Sequence, residues 1–145
     1  MEIYSIGFTQ KTAEQFFSNL RTAGIRLLLD VRLNNVSQLA GFAKRGDLTF
    51  FLKEICAAEY LHEPMLAPTA EILDDYRGKN LTWEEYEARF VALMSERQIE
   101  SQLDRTLFQQ PLVLLCSEPT AERCHRRLVL EHLRYKWGDV TISHL

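Results

Sequence analysis

The sequence predicts an α/β fold: a single three-layer, Rossmann-like domain with a mostly parallel sheet and helices on both faces. Residues 25–31 and 112–116 are nearly continuous apolar runs, the mark of strands covered on both sides by helices. Strand-like and helix-like segments alternate along the chain, which implies right-handed crossovers between parallel strands. A length of 145 residues suits one ordinary domain. No internal repeat or low-complexity stretch divides it, so residues 1–145 are read as one domain with irregular loops at about 33–46 and 63–81.

The first strand is residues 2–6, stopped by Gly7. Thr9 or Thr12 can cap the next helix, where Ala13, Phe16, Phe17 and Leu20 recur at helical spacing. Gly24 stands where a helix C-terminal glycine belongs. The apolar run 25–31 is the second strand, followed by a polar loop to Gly46. Asp47 can cap a helix carrying Phe50, Phe51, Ile55 and Ala58, and Glu59-Tyr60-Leu61-His62 reads as a third strand. Two prolines and a glycine make residues 63–80 the least regular stretch. Thr82 and Glu85 form a capping box opening a helix with the stripe Trp83, Tyr86, Phe90, Leu93 and Met94. Its phase breaks near Ile99, and a second helical piece ends at Phe108. Residues 112–116 are a buried strand, Pro119 suits the first turn of the last helix, Gly138 ends that helix, and residues 140–144 make a final strand.

Composition narrows the function classes. An apolar fraction of 46% and a charged fraction of 26% are those of a globular protein. A net charge of −3 argues against a general nucleic-acid or anionic-membrane binder while leaving room for a local basic patch. No apolar stretch approaches the roughly 18 residues that a spanning helix needs. Three cysteines without a disulfide-rich pattern, and a start lacking a signal-peptide pattern, point to reduced thiols in the cytoplasm.

Open parallel sheets bind ligands at the carboxyl ends of their strands. Here those ends carry Gly7, Asp30 and Arg32, His62, Cys116-Ser117-Glu118, and His144. Asp30, Glu118 and Cys116 are the candidate catalytic groups; Gly7, Arg32, His125 and Arg126 are the candidate ligand-binding residues. Asp30 and Arg32, two apart on extended backbone, point to the same side, as a functional pair or as an ion pair closing the sheet rim. A cysteine between a strand end and a helix start has the setting that lowers a thiol pKa. A six-residue phosphatase-type loop does not fit, because Glu122 stands where its arginine would be and Pro119 removes an amide. Cys124 reads as a small core residue. A metal site built from Cys116, Cys124, His125 and His144 is the alternative, though no Cys-x-x-Cys pair supports it. Arg123, Arg127 and Arg134 share a solvated helix face, leaving Arg126 to reach back toward Asp30, Glu118 or a bound anion. The stripe Trp83, Tyr86, Phe90 reads as core rather than a platform for bases.

Ile6-Gly7, Asp30-Val31-Arg32, Tyr60-Leu61-His62, and Leu115-Cys116-Ser117-Glu118 with Cys124-His125-Arg126 and His144 together resemble the "domain of unknown function 488" family. The resemblance covers nearly the whole chain and implies a small, cytosolic, three-layer α/β domain of prokaryotic type; it brings no established reaction. Phe8 and Thr9 stand where that family usually has a histidine and a serine, and Leu66-Ala67-Pro68 stands in place of Leu-Gly-Gly. The functional expectation is therefore an enzyme-like pocket at the strand ends for a small anionic ligand, a nucleotide derivative among the candidates. A non-catalytic binding or regulatory module and a metal-binding protein are the alternatives. Nucleic acid and membrane are not expected partners, and no reaction, cofactor or oligomeric state follows from the sequence.

Overall fold

The computed structural model describes residues 1–36 and 41–145. Five strands, β1 (Glu2–Gly7), β2 (Leu27–Asp30), β3 (Glu59–His62), β4 (Leu112–Cys116) and β5 (Thr141–His144), form one sheet in the order β3-β2-β4-β1-β5. Every pairing is parallel. The apolar runs occupy β2 and β4 at the sheet centre, as their covering on both faces requires. All four crossovers pass through helical segments: α1 (Ala13–Thr22), α2 (Arg45–Phe51), α3 (Ala70–Arg77), α4 (Trp83–Arg97), α5 (Ile99–Gln102) and α6 (His125–Trp137).

Alternation along each strand splits the core in two. Ile6, Leu28, Val113 and Leu115 pack with Phe16, Phe17 and Leu20 of α1 and Leu48 of α2. On the other face, Ile3, Leu27, Leu29, Leu112 and Leu114 meet Phe90 and Met94 of α4, Ile99 of α5 and Leu128, Val129 and Leu133 of α6. Each fully buried side chain of this size contributes about 1.5–3 kcal/mol relative to exposure. No helix among the described residues is long and apolar enough to cross a membrane.

Local chemistry explains most of the element boundaries. Thr12 and Thr82 both form capping boxes, with Gln15 and Glu85, satisfying donors that the first turn leaves free. Gln98 takes a left-handed conformation (φ 50°) that separates α4 from α5 near the expected break.

Three expectations are corrected. Asp47 lies in the first turn of α2, where its charge suits the helix dipole, and the N-cap position is Lys44. Residues 70–77, inside the stretch read as irregular, form α3, capped by the Thr69 hydroxyl on the Ile72 amide. The last helix begins at His125, with Cys124 at its N-cap, so Pro119 lies in the loop before it rather than in its first turn. Part of the loop expected at 33–46 lies outside the described residues; within the rest, a 3-10 turn covers Gly41–Ala43 and α2 starts at Arg45.

Candidate functional site

The carboxyl ends of β2 and β4 carry two polar groupings on opposite faces of the sheet. Asp30 is in register with Leu115, so Cys116 points to the other side. On the α1/α2 face, the Arg32 guanidinium grips Asp30 with two bonds of 2.9 Å, Nε to Oδ1 and Nη2 to Oδ2. The Tyr60 hydroxyl donates to Asp30 Oδ2 (2.5 Å) and accepts from Asn35 Nδ2 (3.0 Å). Burial, together with the Asp30 carboxylate beside it, raises the Tyr60 pKa well above the ordinary phenol value. Arg32 Nη2 also reaches the Ala43 carbonyl at 2.8 Å. Nη1 is left as the one buried side-chain nitrogen or oxygen among the described residues without a partner.

On the α4/α6 face, Cys116 at the end of β4 meets Cys124 and His125 at the start of α6. Their ligand atoms all lie within 4.8 Å of one another, and all three residues are buried. Cys116 Sγ is 3.5 Å from His125 Nδ1, and His125 Nε2 donates to the Val31 carbonyl at 2.7 Å. That second bond places a proton on Nε2 and turns Nδ1 toward the sulfur. An edge-on contact with Phe90 (5.4 Å between ring centres) holds the ring from the opposite side. The Cys116 thiol is pulled below its ordinary pKa by the Cys124 S–H, the nearby Arg126 charge and the Ser117 and Glu118 amides, against the effect of burial. Cys124 is pushed up, because it shares its proton with Cys116 and is itself buried. Of the two thiols, Cys116 is the more readily deprotonated.

These three residues line a cavity of about 300 Å³, at the lower end of the range that small ligands occupy. Arg32, Arg77, Arg123 and Glu118 also line it, so cations outnumber carboxylates in the wall of an otherwise acidic protein. No carboxylate pairs with Arg77 or Arg123 among the described residues. Tyr76 and Tyr86, with ring centres 4.6 Å apart, supply an aromatic side.

The structure brings Arg32, Cys116, Glu118, Cys124 and His125 to one cavity and leaves Asp30, Gly7, Arg126 and His144 outside it. Asp30 is fully buried beneath Arg32 and Tyr60. Arg126, expected to pair with a carboxylate or an anion, instead donates from Nη1 to the Glu118 backbone carbonyl (2.6 Å) and from Nε to Ser5 Oγ (3.2 Å). Gly7 lies against that same carbonyl: a Cβ there would stand 1.6 Å from the Glu118 oxygen. Only glycine lets the chain after β4 cross the end of β1 so closely. His144 does not join the two cysteines; its Nδ1 is hydrogen-bonded with Ser5 Oγ at 2.5 Å, at the end of β5.

Sequence reasoning missed Arg77 and Tyr76 because it missed α3, and it set Arg123 on a solvated helix face because it began the last helix too early. Tyr86 belongs to the expected core stripe, and the same side chain also borders the cavity. Arg127 does keep its place on the helix surface, paired with Glu131 at 3.0 Å.

A family model described as "Domain of unknown function DUF488" matches residues 12–133. The chain belongs to this family. The DUF488 match takes in α1 through most of α6, and with them every residue that lines the cavity. No curated protein and no solved structure matches this DUF488 chain.

Proposed function

We propose that the cavity at the strand ends takes a small anionic ligand, a nucleotide derivative among the candidates, with chemistry centred on Cys116. The observation that carries this reading is the cation excess of the cavity wall: Arg32, Arg77 and Arg123 border it against one carboxylate, Glu118. An oxyanion entering it would gain charge-assisted bonds from such cations, each about twice as strong as a neutral one. Arg77 and Arg123 add charge at the mouth, and Tyr76 and Tyr86 offer a surface on which a base can stack.

In this reading His125 Nδ1 accepts the Cys116 thiol proton, leaving a thiolate toward the ligand and an imidazolium held by the Val31 carbonyl. Glu118 offers a carboxylate for proton transfer at the rim. Asp30, Gly7 and Arg126 are positioning residues: Asp30 aims Arg32, while Gly7 and Arg126 shape the Cys116–Glu118 turn.

Calorimetric titration with phosphate, pyrophosphate and nucleoside monophosphates tests the proposal. At least one should bind, and Arg123→Ala should weaken it by about tenfold, roughly 1.4 kcal/mol. Flat titrations for every anion would remove the anion-binding reading. Binding unaffected by Arg123→Ala and by Arg77→Ala would place the ligand elsewhere.

A further inference from the structure

Three soft ligands converge on one face of the cavity, their ligand atoms within 4.8 Å of one another. We infer that Cys116, Cys124 and His125 form a zinc site with two sulfurs and one nitrogen, whose remaining position opens to the cavity. The inference rests on the anion-binding reading above and replaces its His125–Cys116 proton transfer: with zinc bound, His125 Nδ1 and the Cys116 sulfur are ligands, and the metal holds the anion's charge.

Geometry carries the argument. A Zn–S bond of about 2.3 Å and a Zn–N bond of about 2.0–2.1 Å at a tetrahedral angle set sulfur and nitrogen about 3.6 Å apart. Cys116 Sγ and His125 Nδ1 stand 3.5 Å apart. Cys124 Sγ lies within 4.8 Å of both, close enough for all three to share one ion.

The outer shell is of the kind that metal-bound histidines have. His125 gives its other ring nitrogen to a backbone carbonyl at 2.7 Å, which aims the Nδ1 lone pair at the sulfurs. Arg126 Nη1 donates to Cys124 Sγ at 3.6 Å, an outer contact that orients this ligand sulfur.

The ligand count then separates two kinds of zinc site. Structural zinc takes four protein ligands, whereas catalytic zinc takes three and keeps one position for water or substrate. Among the described residues no fourth cysteine, histidine or carboxylate joins the group, and the cavity borders all three members. Zinc there would bind an anionic oxygen directly or lower the pKa of a bound water, beside the arginines that hold the rest of the anion. The donor set of thiolate and imidazole selects zinc over magnesium, calcium or manganese.

Mass spectrometry of the untagged full chain should find one zinc per molecule, or a chelator-stripped sample should take up one on reconstitution. Cobalt in its place should give thiolate-to-cobalt charge-transfer absorption and the intense visible bands of a tetrahedral site. Cys124→Ser and His125→Gln should each weaken zinc binding at least about tenfold, while Cys56→Ser, remote from the cavity, should retain it. Circular dichroism identifies variants that keep the fold, and the cobalt spectrum of the unaltered chain decides the matter should none do so. A folded chain that takes up neither metal, or a zinc content unchanged in both ligand variants, would overturn the site. Phosphate titration separates the two readings: anion binding without zinc sinks only the metal, and zinc uptake with flat anion titrations sinks only the ligand.

Discussion

The Arg126 guanidinium lies 3.6 Å from the Cys124 sulfur, is 1% exposed, and has no carboxylate paired with it among the described residues. Burying a cation without an anion costs several kcal/mol. The nearest soft acceptor is the Cys124 sulfur, and the guanidinium charge lowers the pKa of the adjoining Cys116 thiol. Arg126 thus links the backbone of the Cys116–Glu118 turn to the electrostatics of the cavity floor.

Arg126→Lys should lower stability by about 1–3 kcal/mol, because a single ammonium cannot serve Ser5 Oγ and the Glu118 carbonyl from the guanidinium's fork. Urea unfolding measures it. Unchanged unfolding combined with lost anion binding would move Arg126 into the ligand site instead.

Asp30→Asn tests whether the buried carboxylate positions Arg32 or takes part in proton transfer. The substitution keeps the shape but removes the charge from a pair 0–2% exposed, so the folded state should lose about 3 kcal/mol. Tyr60→Phe, which removes the hydroxyl bond to Asp30, should cost less, about 1 kcal/mol. An Asp30→Asn protein with its melting temperature intact and its chemistry abolished would restore Asp30 to the reacting groups.

Gly7→Ala should destabilise by about 1–3 kcal/mol and loosen the turn after β4, since the new methyl would occupy the position of the Glu118 carbonyl. Hydrogen exchange at the Ser117 and Glu118 amides is the readout. Protection equal to that of the unaltered protein would show that the turn can move away freely.

Much of this arrangement was legible in the sequence because burial on both faces leaves a one-dimensional trace. The apolar runs of β2 and β4 identified the parallel sheet, and its carboxyl ends pointed to Cys116 and Arg32 directly. Sheet register was not legible. The alternation that separates Asp30 from Cys116 depends on Asp30 pairing with Leu115, and no local pattern specifies that offset. The eight residues of α3 escaped notice because Pro68 and Gly78 flank a segment too short for helical periodicity to stand out. Pro119 misled for a related reason: proline suits both a helix's first turn and the loop before it. Moving the helix start to His125 is what turned Arg123 toward the cavity.

The last prediction concerns acid stability through His144. Partial burial of the ring lowers its pKa most, and the Arg126 and Arg127 charges lower it further, with Glu131 acting in the opposite direction. The native environment therefore favours the neutral ring, whose Nδ1 is hydrogen-bonded with the Ser5 hydroxyl. Between the folded pKa and the ordinary value of about 6.5, the unfolded chain binds more protons than the native one. The stabilising contribution is present above about pH 6.5 and is lost as pH falls through the folded pKa. Solvent screens a ring this exposed, so the effect is a change in slope rather than a collapse. Melting temperature against pH should fall less steeply below 6.5 in His144→Asn, whose side-chain oxygen can still accept from Ser5. An NMR titration should place the His144 midpoint below that of a free imidazole. A His144 midpoint at or above the ordinary value, with identical acid slopes in both proteins, would detach this histidine from the Ser5–Arg126 chain.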